Sequence, residues 1–63
     1  MFSIGKKYWF VLKTKNEKEV SIKGEAVEEN SFFIKIKRDD GNEEIIPFTR
    51  ILNVNEAKEQ DLL

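Results

Sequence analysis

In the stretch Phe33-Ile34-Lys35-Ile36-Lys37, a phenylalanine and two lysines occupy every second position. Side chains alternate across an extended strand, so Phe33, Lys35 and Lys37 share one face. Lys23 falls on the outward parity of a preceding strand candidate. Cations set around an aromatic ring suit a polyanion that carries planar bases. The ammonium groups follow the phosphates while the ring stacks on a base. The competing reading is a solvated sheet face on which Lys35 or Lys37 pairs with Glu25.

Other chemistry is thinly supplied. Asp39, Asp40, Glu43 and Glu44 surround the turn at Gly41. Hard cations take carboxylate oxygens, but the ligand spacing of a calcium loop is absent. The cluster reads as a solvated turn, and no metal ligand is assigned. The chain has no histidine and no cysteine. That removes the commonest general base and the thiolate ligands. Ser3 and Ser21 have no histidine to activate them. No catalytic residue and no cofactor is expected, and the chain reads as a non-enzyme.

The totals bound the rest. A chain of 63 residues is one domain at most, with a thin core. Self-association would extend that core. Eleven basic and twelve acidic residues leave a net charge of −1, so no whole-molecule field draws in a polyanion. No apolar run reaches the roughly 20 residues of a membrane span. In "MFSIGKKYWFVL" charges interrupt the apolar residues, unlike a signal peptide. A soluble, cytoplasmic protein with no membrane partner is expected.

Five strand candidates position these residues. "KKYWFVLKT" sets Tyr8, Phe10 and Leu12 on one face and Trp9 with Val11 on the other. After the polar turn at 15–18, "EVSIKGEAV" turns Val20, Ile22 and Ala26 inward, with Gly24 on the same parity. A glycine inside a strand marks a bend, a bulge or a close backbone approach. "FFIKIKR" points Phe32, Ile34 and Ile36 inward. An Asp-Gly step then signals a hairpin into "EEIIPF", and "RILNV" follows as the last strand. The expected fold is all-β: a five-stranded small bent barrel spanning residues 1–56. Residues 57–63 form a tail, flexible or a short helical turn.

Pro47 lacks an N–H and has a fixed φ, so it suits a strand end rather than a strand middle. The spacing Ile46-Pro47-x-x-x-Ile51-x-x-Val54 predicts a short 3₁₀ turn carrying the chain around a corner. That spacing is similar to the end of SH3 domains, where a 3₁₀ turn joins the last two strands. The order of elements, Tyr8-x-Phe10-x-Leu12 and Gly24-x-Ala26 resembles the Sm-like fold, a bent barrel that commonly forms rings and binds RNA. The resemblance implies a homo-oligomer in which the edges of the fourth and fifth strands pair between subunits. The chain departs from that family at "ENSFFIK" and at "PFTRI", where Arg50 has no following glycine.

Two functions follow as expectations. In one, single-stranded RNA or DNA lies on Lys23, Phe33, Lys35, Lys37 and Arg50. In the other, the chain is a protein-interaction or assembly module with no nucleic-acid role. Its interface would use Trp9, Val11, Ile51 and Leu52. Trp9 has an intramolecular alternative, packing under Phe2 and Ile4 or under Leu62 and Leu63.

Overall fold

The computed structural model describes residues 2–57. Its strands are β1 (Lys7–Lys13), β2 (Glu19–Glu29), β3 (Phe33–Lys37), β4 (Glu43–Pro47) and β5 (Ile51–Glu56). A 3₁₀ turn, Phe48–Arg50, joins β4 to β5. The five strands form one antiparallel sheet in the order β4-β3-β2-β1-β5. The chain is all-β, as its alternation predicts. The sheet is not closed, however: β4 and β5 are its two edges. Pro47 has no N–H to offer a ladder, and the 3₁₀ turn takes residues 48–50 out of extended geometry. No helix among the described residues is long and apolar enough to cross a membrane.

The core is Tyr8, Phe10, Ala26, Ile34, Ile36 and Ile46. All lie on the inward parity read from the sequence. Phe2, Leu12, Ile22, Phe48, Ile51 and Val54 pack around it, partly buried. The corner therefore works as expected: Ile46 is buried before Pro47, and Ile51 and Val54 return to the core after it. Of the bend, bulge or close approach that Gly24 could mark, the structure shows a close approach. A Cβ built there would lie 2.7 Å from Cδ1 of Ile36.

Two apolar residues expected inside are outside. Val20 is exposed, because the start of β2 pairs only with β1 and β3 does not reach it; the β2–β3 ladder runs from Glu25 to Glu29. Phe32 is 78% exposed. The Asn30 side-chain oxygen accepts from the backbone N–H of both Phe32 and Phe33, at 2.8 and 3.0 Å. This turn holds Phe32 ahead of β3, which begins at Phe33.

The turn signals hold. Thr14 and Lys18 close the β1–β2 loop, with the Thr14 N–H donating to the Lys18 carbonyl at 2.8 Å. In the β3–β4 hairpin, the Gly41 N–H donates to the Arg38 carbonyl and the Arg38 N–H to the Asn42 carbonyl. Gly41 takes φ +89, the left-handed residue that follows a type I turn in three-residue hairpin loops. Phe2 also covers the core, which no strand pattern foretold. Phe2 packs edge-on against Tyr8 and stacks on Phe48. Its N–H donates to Glu29 Oε1 at 3.1 Å, and the Ser3 N–H donates to the Tyr8 hydroxyl at 2.8 Å.

Candidate binding faces and edges

The outer face of the sheet carries the lysine and aromatic residues. Lys23 on β2 and Phe33, Lys35 and Lys37 on β3 point away from the core, as do Trp9 and Val11 on β1. Register fixes their neighbours. Lys37 stands opposite Glu25 on one side and Glu43 on the other. Phe33, half-buried, stands opposite Pro47.

Carboxylates interleave with these cations. Lys35 Nζ lies 3.7 Å from Glu28 Oε1 and 3.9 Å from Glu43 Oε1. Glu25, the partner expected from the sequence, takes neither lysine as an ion pair among the described residues. Lys37 stands opposite Glu25 without an ion pair, and Lys35 is met by Glu28 because of a register shift in β2 between Ala26 and Glu28. Val27 drops out of the pairing, and Glu28 arrives opposite Lys35 in its place. A β-bulge of this kind redirects every side chain beyond it. It also turns Glu29 inward, where it meets the Phe2 N–H. Arg50 lies apart, exposed in the 3₁₀ turn outside the sheet.

Trp9 is half-buried on the outer face. Phe2 belongs to the inner face, and Ile4 is exposed. Leu62 and Leu63 lie outside the described residues. Lys23, directly opposite Trp9 in the register, places Nζ 5.3 Å from the ring centroid. Such a contact contributes about 0.5–1 kcal/mol where exposed and more when desolvated. A cleft of about 430 Å³ opens beside this pair, lined by Trp9, Ser21, Lys23, Arg38, Asp39 and Asp40 among others. The acidic hairpin tip thus folds back over the outer face.

Each carboxylate of the tip has its own partner. Asp39 lies 3.6 Å from Lys7 Nζ and 3.9 Å from Lys23 Nζ. Asp40 accepts from the Asn42 backbone N–H at 2.9 Å, which holds its carboxyl below the ordinary value. Arg38 donates to Glu44 at 2.7 Å, and that bond raises the guanidinium above its ordinary value. No group of three or more aspartates and glutamates converges on a metal position among the described residues.

The sheet edges carry the remaining candidates. On β5 the pairing with β1 steps from Asn53 to Ile51, so Leu52 is the unpaired residue of a bulge and is 50% exposed. Ile51, expected at an interface, packs against the core instead, partly buried. On β4, Ile45 is 56% exposed while Ile46 is buried. Sequence reasoning passed over Ile45, although adjacent isoleucines in a strand must face opposite ways. No family model, curated protein or solved structure matches this chain.

Proposed function

We propose that the chain is a small non-enzymatic assembly module whose partner is a second copy of itself, joined by strand addition. The observation that carries this reading is the pair of open edges, each presenting a large apolar residue: Ile45 on β4 and Leu52 on β5. Unpaired edges are covered, charged or used. Between Ile45 and Pro47 on β4, and from Ile51 to Asn55 on β5, no charged residue protects the edge. A β4 edge of one copy against the β5 edge of the next would be a heterologous contact, which closes to a ring or runs on. The Sm-like resemblance points to the same pairing. The small core, six buried residues among those described, gives the monomer reason to extend its sheet.

Light scattering on a sizing column tests this. The expected result is an assembly of several copies. Ile45→Lys and Leu52→Lys, both at exposed positions, should each convert it to monomer with the circular dichroism of the folded chain. A monomer at high concentration for the unaltered chain overturns the reading.

A second reading, binding of single-stranded RNA or DNA, is favoured by the Phe33-Lys35-Lys37 row. Lys37 makes no ion pair among the described residues, and Lys23 lies on the adjacent strand of the same face. Interleaved Glu25, Glu28 and Glu43 weigh against it. It predicts oligonucleotide affinity that falls steeply with salt and is lost in Lys35→Gln/Lys37→Gln. Absence of binding at low salt rejects it.

A further inference from the structure

We propose that Lys7 and Lys23, beside the Trp9 ring, form a binding site for phosphate oxyanions. Asp39 of the β3–β4 hairpin occupies that site as an internal competitor. The inference is independent of the edge contacts above.

The geometry is that of an anion held between two cations. One Asp39 oxygen lies 3.6 Å from Lys7 Nζ and the other 3.9 Å from Lys23 Nζ. Both separations exceed hydrogen-bond length, so the ammonium groups keep their donors uncommitted to this carboxylate. Lys23 is positioned rather than waving in solvent. Its side chain is only 15% exposed and lies over Trp9. A lysine fixed in this way has already lost much of the rotamer freedom that ordering it on a ligand would cost. The adjoining cleft, about 430 Å³, adds the Ser21 hydroxyl and Arg38, which also donates to Glu44, and is lined by Asp40 as well as Asp39. Ser21 and Arg38 donate to an oxyanion.

Asp39 is suited to be displaced. It is exposed and its side chain takes no part in the turn, which is held by Asp40 through Asn42 and by the Gly41 N–H. Its contact with Lys7, exposed on both sides, is worth little and weakens in salt. A phosphate brings more charge and three acceptor oxygens to the same place. Its arrival would release Asp39 and change the surroundings of Trp9. Trp9 is the single tryptophan of the chain, so its emission reports on this cleft alone.

The test is a titration of Trp9 fluorescence at low ionic strength, with sodium pyrophosphate in one arm and a short oligothymidylate in the other. Binding should saturate in the unaltered chain. Asp39→Asn, which keeps the turn bonds, should tighten it about two- to fivefold, the scale of one exposed charge pair. Lys23→Gln should weaken it in either background. Binding of pyrophosphate as well as the oligonucleotide assigns the site to free phosphate compounds; binding of the oligonucleotide alone assigns it to the strand backbone. No saturation in either arm, or equal affinity for the unaltered chain and Asp39→Asn, overturns the proposal. Asp39→Ser provides the same comparison if Asp39→Asn loses the folded circular dichroism.

Discussion

Phe10→Ala should destabilise the chain by about 3–5 kcal/mol, enough to unfold it at the lower end of the stability expected for its length. Phe10 is fully buried and is one of the largest side chains the core encloses. Its ring meets Phe2 at 5.5 Å and Tyr8 at 6.1 Å between centroids, so it joins the N-terminal arm to the sheet. Truncating a buried phenylalanine costs about 3–5 kcal/mol in lost transfer energy and residual cavity. At typical per-residue stability, a chain of 63 residues has only roughly 3–9 kcal/mol in total. The loss therefore consumes from about a third to all of it. Few neighbours are available to collapse into the space, because the core has six buried members among the described residues. Phe32→Ala is the internal control. It removes the same atoms from a 78% exposed position and should change stability by no more than about 0.5 kcal/mol. Urea denaturation followed by circular dichroism reads both. A cooperative transition for Phe10→Ala near that of the unaltered chain would mean that the core does not rest on this ring.

What the sequence discloses and what it hides separate along physical lines. Period-two alternation is a property of each strand alone, so the inward residues of β1 and β3 are legible wherever the strand is covered along its length. Pro47 is legible because its covalent structure forbids a strand middle, whatever surrounds it. The Asp-Gly step is legible because few residues tolerate the left-handed backbone that Gly41 adopts. Coverage itself is not a local property. Val20 has the right parity, but β3 ends too soon to shield it. Phe32 has the right parity too, but the Asn30 side chain captures two N–H groups and bends the chain before the strand can start. The lysine face depends on an even less local fact. One unpaired residue, Val27, decides whether Lys35 meets an apolar side chain or the Glu28 carboxylate. That shift sets a carboxylate against Lys35 in the middle of the row, and nothing in the residue types announces it. The folding back of Asp39 onto Lys7 and Lys23 is equally hidden, since it joins three strands through the twist of the hairpin.

Gly24→Ala should destabilise the chain by about 1–3 kcal/mol, the range for forcing an extra methyl into a packed core. Strand propensity alone predicts the reverse. Glycine in a strand interior costs about 0.5–1 kcal/mol relative to alanine through the freedom it loses on folding. The added Cβ, however, would sit 2.7 Å from Cδ1, 3.0 Å from Cβ and 3.1 Å from Cγ1 of Ile36. Rotating the terminal methyl of Ile36 relieves only the first of these contacts. The other two involve atoms next to the backbone of β3, and Ile36 is fully buried among core neighbours. Relief therefore requires the β2–β3 pair to part or the Ile36 rotamer to strain. Ile36→Val distinguishes this steric account from a general intolerance of change in β2. Alone it should cost about 0.5–1.5 kcal/mol for the lost methyl. Combined with Gly24→Ala it removes the closest contact, so the pair should cost less than the sum, with a coupling of about 0.5–1 kcal/mol in the favourable direction. Strict additivity in urea denaturation would place the role of Gly24 in the bending of β2. Sub-additivity assigns it to the space that Ile36 fills, which makes one missing side chain on β2 the condition for a large one on β3.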